Sequence, residues 1–147
     1  MIRASYRPIV RHAAGAAILR VYGDPAPKGS KSVWRGRVVD DAKGHAAWKA
    51  ALDDIADEWE LRRYPILDGP LVGEAVFYLR RPKTTKFPSL PMGPPDLSKL
   101  IRAIEDPLNG RIITDDARIV SWSRTSKLWA TATEPPGVLL ELLPHSL

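Results

Sequence analysis

Residues 94–120 read PPDLSKLIRAIEDPLNGRIITDDARIV and place a helix pattern between two acidic positions. The two prolines disfavour a helix before Asp96, so we expect the helix to begin with Asp96 or Ser98 near its N-cap. Asn109 and Gly110 are residues typical of a helix end. Apolar residues recur every three or four positions between these limits, which predicts one buried face. They are Leu97, Leu100, Ile101, Ile104 and Leu108.

A second acidic feature follows this helix. Thr114, Asp115 and Asp116 predict a tight turn, and residues 118–126 alternate like a half-buried strand. A helix packed against that strand would bring Asp96 near Asp115 and Asp116. Carboxylates so placed repel one another unless a divalent cation lies between them, and oxygen ligands favour Mg²⁺ or Mn²⁺. The alternative is that Asp96 is only a helix cap and the second feature is only a turn.

The order of the residues is more specific than the acidic spacing. The pattern PD-x-x-x-L-x-x-A-x-x-D-x-L-N-G, followed closely by DD-x-x-I-V, resembles the RusA family of Holliday junction resolvases, endonucleases that nick four-way DNA junctions. The resemblance is densest over residues 96–120 and is compatible with the chain from about residue 17 onward. It implies an α+β fold: a small single mixed α/β domain of the RusA type, with two main helices packed on a sheet. It also implies a homodimer that hydrolyses phosphodiesters.

The resemblance also gives roles to residues at matching positions. It implies that Asp96 is the first metal ligand and Asp116 the second principal ligand, with Asp115 as a ligand or an orienting carboxylate. Arg102 lies where the family commonly has a basic catalytic residue, usually lysine. The implied cofactor is Mg²⁺, for which Mn²⁺ can substitute.

Two positions depart from the family pattern. Many members have a second aspartate two residues after the first, whereas this chain has Ser98, which brings no charge and would lower the metal affinity. Arg102 keeps the positive charge of a lysine and can bind a phosphate with two N–H groups, but it cannot give up a proton. Lys99, three residues earlier, is an alternative basic group. The serine leaves open an inactive protein that still binds junctions.

Length, charge and composition limit the class of protein. A chain of 147 residues suits one domain, and a net charge of +5 with a pI near 9.7 favours a polyanionic partner. Without cysteine, disulfides and thiolate metal sites are excluded, and the three histidines lack ligand spacing. No apolar run is long enough for a secretion signal or a membrane span. We therefore expect a cytoplasmic protein. The resemblance to resolvases further implies a bacterial host cell, with a gene that belongs to the bacterium or to a phage.

The flanking sequence predicts the remaining elements. Residues 1–16 form a basic N-terminal arm or an added edge strand, and we favour the solvated arm; residues 17–147 form the domain. Strands are expected over residues 17–22, at Val38 and Val39, and over residues 71–79 and 138–143. Residues 42–62 predict an amphipathic helix, whose acidic residues we interpret as a solvated face without a second segment to gather them.

Two basic segments are the candidate DNA contacts. Residues 80–86, with four basic residues in seven, are followed by a proline-rich run to Pro95 that leads to the predicted site. A basic loop and hairpin follow the first strand. Either segment could instead be a plain solvated loop, and Trp34 could stack on a base or cover an apolar patch. Lys127 is expected to face solvent and extend this surface. The predicted DNA-binding residues are Lys28, Lys31, Arg35, Arg37, Arg80, Arg81, Lys83, Lys86, Lys99 and Lys127.

Three hypotheses about function follow from these patterns. The leading one is a Mg²⁺-dependent, structure-selective endodeoxyribonuclease that resolves four-way junctions or related branched DNA. A two-fold homodimer would present two sites to the approximate two-fold symmetry of a junction. The second hypothesis is a branched-DNA-binding protein whose nuclease activity is weakened or lost. The third is an interaction protein whose acidic turn is merely a turn.

Overall fold

The computed structural model describes residues 6–28, 31–34, 37–40 and 44–146, and for residues 31–34 and 37–40 it describes the backbone alone. Two helices and eight strands make up this part of the chain. The helices are α1 (His45–Leu61) and α2 (Leu97–Leu108). The strands are β1 (Ile9–Ala13), β2 (Ala16–Tyr22), β3 (Lys31–Trp34), β4 (Arg37–Asp40), β5 (Leu71–Leu79), β6 (Ile119–Trp122), β7 (Ser126–Trp129) and β8 (Gly137–Pro144).

Six of the strands form one mixed sheet, and β3 and β4 form a separate hairpin. The sheet order is β1-β2-β8-β5-β6, with β7 also paired to β5. β5 is antiparallel to β8 along one edge and parallel to β6 and then β7 along the other. The expected α+β fold, a single mixed domain with a sheet and two helices, is therefore confirmed.

The core lies between the helices and one face of the sheet. The side chains of β5 alternate between buried and half-buried, as a strand with one fully covered face requires. The largest fully buried side chains come from both helices and from the sheet: Trp48, Leu52, Ile55 and Trp59 of α1, Leu100, Ile104 and Leu108 of α2, and Leu19, Phe77 and Leu140 of the strands. Each such side chain contributes about 1.5–3 kcal/mol of burial free energy. None of the helices in the described ranges is both long and apolar enough to cross a membrane.

Most of the predicted elements are confirmed, with shifts of a few residues at their ends. β2, β4, α1, β5, α2 and β8 all occupy the expected segments. Asp96 is the N-cap of α2, Asn109 its C-cap, and Gly110 follows with a left-handed backbone. The periodicity of apolar residues was sufficient to predict α1, β5 and α2, because each of these three elements fully buries one face.

The interpretation of the N-terminal segment as a solvated arm is wrong for residues 9–13. These residues form β1, an edge strand that pairs antiparallel with β2 and buries Val10 to 3% exposure. The turn between the two strands has a left-handed backbone at both Ala14 and Gly15, the geometry that closes a two-residue hairpin. Alanine is an unusual residue for that position, so the hairpin lacks the usual sequence signal. Residues 1–5 lie outside the described ranges.

The predicted strand over residues 118–126 is two strands. β6 pairs with the first part of β5, and β7 pairs with its second part after a turn in which Arg124 has a left-handed backbone. The Thr125 hydroxyl accepts a hydrogen bond from the Ala75 N–H at 3.3 Å and donates one to the Ser123 carbonyl at 3.0 Å. A side chain thus replaces the strand hydrogen bond where the ladder is interrupted.

A buried arginine fixes the other end of the sheet. Arg20 of β2 is 4% exposed, and its guanidinium donates to the carbonyl oxygens of Val21 and Pro135, both at 2.7 Å. The same group lies 4.2 Å from the ring centre of Tyr22 and 5.0 Å from that of Tyr78. Arg20 therefore joins β2, β5 and the loop that enters β8, with its charge satisfied by carbonyls and aromatic faces.

We expect Gly73→Ala to destabilise the fold. A Cβ at Gly73 would lie 2.6 Å from two ring atoms of Trp122, which packs across this position from β6. Relief of that overlap requires movement of a large, partly buried ring, at a cost of about 1–3 kcal/mol. Urea denaturation measures this cost. Gly69→Ala is the matched control, because a Cβ there meets no atom within 4 Å, and equal losses in the two variants would contradict the prediction.

Candidate functional site

The carboxylate of Asp96 lies exposed at the beginning of α2. The backbone carbonyl of Asp96 accepts hydrogen bonds from the N–H groups of Lys99 and Leu100, both at 3.1 Å, but its side chain makes no capping hydrogen bond. The side chain is 64% exposed, and its nearest cation is the Lys99 ammonium at 3.8 Å. Asp96 thus occupies the N-cap position without using its carboxylate as a cap, which leaves both oxygens available to a ligand.

Lys127 of β7 holds the segment that leads into α2. Its Nζ donates to the carbonyl oxygens of Gly93 at 3.0 Å and Pro95 at 3.1 Å, and the side chain is half-buried. The prediction that Lys127 faces solvent is wrong, because the proline-rich loop folds back over β7 and offers these two carbonyls to it. Its position beside Asp96 is set by this contact, while its role as a DNA contact stays a prediction.

The acidic turn is a short 3₁₀ helix, Asp116–Arg118, capped by Asp115. Oδ1 of Asp115 accepts a hydrogen bond from the Ala117 N–H at 3.0 Å. This bond, followed by a hydrogen bond with Asp116 and the charge of Arg118, lowers the pKa of Asp115. Arg118 in turn binds the Asp68 carboxylate at 2.9 Å. Asp115 therefore caps the turn, while its role as a metal ligand or orienting carboxylate stays a prediction.

Glu105 meets the acidic turn from the third turn of α2, and the sequence analysis did not include it in the site. Its carboxyl group is half-buried and interacts with that of Asp116. Burial first, and then this contact, raise the pKa of Glu105 to about 7, although Arg102 one turn earlier opposes the shift. Glu105 lies four residues after Ile101 and three before Leu108, at the border of the apolar face. That spacing was the available signal for its partial burial.

Asp96 and Asp116 contact different ends of α2. Nine residues separate Asp96 from Glu105, about 13 Å along a helix at 1.5 Å per residue. Within the described ranges, no three acidic or histidine side chains form a group that could hold a metal ion as placed. Glu105 and Asp116 offer the oxygen ligands that Mg²⁺ prefers, but Asp96 does not join them. The metal site of Asp96, Asp115 and Asp116 therefore stays a prediction, with Glu105 as an added candidate ligand.

Of the basic residues expected to contact DNA, Arg80 and Lys99 lie near the beginning of α2, whereas Lys28 lies beside its last turn. Lys28, Arg80, Arg81, Lys83, Lys86 and Lys99 are exposed. Three of them are already paired: Lys28 with Asp106 at 3.3 Å, Arg80 with Asp24 at 3.1 Å and Lys99 with Asp96 at 3.8 Å. Arg35 and the side chains of Lys31, Trp34 and Arg37 lie outside what the structure describes.

The acidic face of α1 is not simply solvated. Arg111, in the segment after α2, forms ion pairs with Asp57 and Glu60 and lies 4.0 Å from the Asp53 carboxylate. Nothing in the sequence indicated that Arg111 would bind these acidic residues, because it lies about fifty residues further along the chain. The contact joins α1 to the end of α2, and we interpret it as structural.

No protein-family model and no curated protein matches this chain. The resemblance to resolvases therefore depends on the sequence pattern over residues 96–120 alone, and the function that it implies is a proposal.

We expect Lys127→Met to destabilise the protein by about 1–2 kcal/mol. The substitution keeps most of the apolar stem but leaves the carbonyls of Gly93 and Pro95 without their charged donor. Urea denaturation of the variant measures the loss. Lys83→Met is the matched control, because Lys83 is exposed in the loop before α2. Equal stabilities of the two variants would show that the Lys127 contacts contribute nothing.

The raised pKa of Glu105 predicts a loss of stability as the pH rises. Folding moves this pKa from 4.5 to about 7, so the folded state binds more protons than the unfolded chain between these values. The free energy of unfolding therefore falls as pH increases through that window. After allowance for solvent screening of a half-exposed group, we expect a fall of about 1–2 kcal/mol.

Glu105→Gln removes this proton binding and tests its source. The variant should lose less stability than the native protein between pH 5 and about pH 8, measured by urea denaturation in EDTA. Asp54→Asn, at an exposed position of α1, is the control and should keep the native pH profile. Parallel profiles for Glu105→Gln and the native protein would refute the assignment.

Proposed function

We propose that this protein is a Mg²⁺-dependent, structure-selective endodeoxyribonuclease that resolves Holliday junctions or related branched DNA by symmetric phosphodiester hydrolysis. The observation that supports it best is the exposed carboxylate of Asp96 at the beginning of α2, which makes no capping hydrogen bond and lies in the segment that follows an exposed basic loop. An exposed carboxylate of this kind, with the Lys99 ammonium 3.8 Å away, suits a metal ion bound between protein and phosphate.

The chain's own groups have distinct roles in this proposal. The resemblance implies Asp96 and Asp116 as the principal Mg²⁺ ligands, but in the structure they meet different ends of α2, so an ion held by Asp116 and Glu105 would be distinct from one at Asp96. Asp115 keeps the turn in place by accepting a hydrogen bond from the Ala117 N–H. Bound Mg²⁺ would activate water and stabilise the charge that develops on the phosphate. Arg102, exposed on α2 between the two acidic positions, binds the phosphate with its guanidinium and transfers no proton.

Binding to branched DNA is proposed to come from the basic loop of residues 80–86 together with Lys28 and Lys99. Their exposed ammonium and guanidinium groups would contact backbone phosphates and release counterions, so affinity should fall steeply with salt. A two-fold homodimer would place two sites on the two strands of a junction that must be nicked symmetrically. The dimer remains part of the proposal.

A second candidate function is branched-DNA binding without cleavage. Ser98 stands where the resolvase pattern commonly has a second aspartate, and the described acidic side chains form no three-membered group for a metal ion. Both observations favour a metal site of low affinity. Ca²⁺ separates the two functions, because it supports binding by the nuclease while Mg²⁺ or Mn²⁺ is needed for cleavage.

The expected outcome of a nicking assay is symmetric cleavage of a labelled four-way junction, and no cleavage of a linear duplex of the same sequence. Mg²⁺ or Mn²⁺ should support the reaction, and EDTA should abolish it. Asp116→Asn should lower the nicking rate by about 100-fold or more, because a lost ligand removes several kcal/mol of transition-state stabilisation. Asp54→Asn, exposed on α1, is the matched control and should nick normally.

The same assay separates the alternatives. Junction binding without nicks in either metal would overturn the proposed nuclease activity and leave the proposal of a branched-DNA-binding protein. No preference for the junction over the duplex in binding or cleavage would overturn both proposals.

A further inference from the structure

A small cavity lies directly before the proposed site. Its volume is about 270 Å³, and it is bounded by the end of β5 and by the residues that precede Asp96. The walls are largely apolar, whereas an ion pair between Arg80 and Asp24, 3.1 Å apart, lies at the cavity with both side chains exposed. The residues that line this cavity include Asp24, Leu79, Arg80, Pro94, Pro95 and Trp129.

The aromatic wall of this cavity is held in place before any ligand binds. Trp129 of β7 pairs with Leu79 of β5, and its indole Nε1 donates to the Phe87 carbonyl at 2.9 Å. The Ala130 N–H donates to the Leu79 carbonyl at 2.7 Å. These bonds fix the backbone and the indole ring together, so binding at this wall requires little side-chain ordering.

The chemistry of the cavity suits a flat ring with polar edges. Indole and proline surfaces accept the face of such a ring, while the Asp24 carboxylate accepts from an exocyclic amino group and Arg80 donates to a ring carbonyl. The volume is slightly below the range of about 300–1,000 Å³ that holds drug-sized molecules, so the ligand must be smaller. A single nucleobase has this combination of shape, size and edge chemistry.

The position of the cavity connects it to the proposed chemistry. Pro95, one of its walls, is followed directly by Asp96, and Arg80 begins the basic loop. A nucleotide with its base in the cavity would have its own sugar–phosphate backbone next to Asp96 and Arg80. Bases at a branch point cost less to unstack than bases within a continuous duplex, because the continuity of stacking is interrupted there.

We propose that this cavity binds one unpaired nucleobase extruded from the branch point of DNA, and thereby selects the phosphodiester that lies at Asp96. The inference rests on the proposed action on branched DNA. It adds a base-binding site, with Trp129 as the stacking surface and the Asp24–Arg80 pair as the edge contact.

Photocrosslinking of the native protein tests the site without a destabilising substitution. A series of four-way junctions carries 5-iododeoxyuridine at successive positions beside the branch point. The protein binds each junction in Ca²⁺, and the complex is irradiated. Mass spectrometry then identifies the modified residue. We expect an adduct on Trp129 from one position and none from the linear duplex. Trp122→Phe, which removes a tryptophan of β6 away from the cavity, should leave the adduct unchanged.

An abasic position in the DNA gives the energetic test, again with the native protein. Removal of the base that crosslinks should weaken junction binding by about 5- to 100-fold, the range expected for one lost base–aromatic stack. An abasic position several base pairs from the branch should change nothing.

The possible failures are distinguishable. Junctions that bind, with or without nicking, but give no adduct on Trp129 from any branch position would overturn the base site and leave the proposed function intact. An adduct of equal yield from the linear duplex would show that base binding in the cavity does not depend on a branch point. Absence of any binding to branched DNA would overturn this inference together with the proposed function.

Discussion

The pairing of β5 along both edges is the constraint on which the rest of the structure depends. β8 pairs antiparallel with one edge, and β6 and β7 pair parallel with the other. A parallel neighbour requires the chain to cross back along the sheet before it runs in the same direction again. Residues 80–118 make this crossing, and α2 lies within it. α2 therefore begins near the end of β5 and finishes near its start.

This crossing explains why the two acidic features meet α2 at different places. Asp96 lies beside the end of β5, where Lys127 of β7 binds the preceding carbonyls. Asp116 directly precedes β6, which pairs with the beginning of β5, so the acidic turn packs against Glu105 instead. Glu105 and Asp116 are then two carboxyl groups in contact, a pair that requires a shared proton or a cation between them. In the proposed nuclease, phosphate and water would complete the coordination of that cation.

The strands that sequence reasoning did not favour or did not separate share one cause. β1, the less favoured of two readings of the N-terminal segment, is joined to β2 through Ala14 and Gly15, and β6 is separated from β7 by a left-handed residue, Arg124. Neither turn has a strong local signal, because alanine and arginine are ordinary residues whose backbone is forced by the strand pairing around them. Lys127 was misplaced for a related reason: its partners, the carbonyls of Gly93 and Pro95, belong to a loop whose course no periodicity predicts.

The sequence by itself determined the elements that bury one face, from β5 to α2, and the caps at both ends of α2. Their spacing is repeated along the chain, so the pattern is local and can be recognised without the fold. Only the tertiary structure decided that Glu105 meets Asp116, that Lys127 supports Asp96, and that a cavity opens beside Trp129. Such contacts join residues distant in sequence, and their geometry follows from how strands pair and helices pack, which no local spacing encodes.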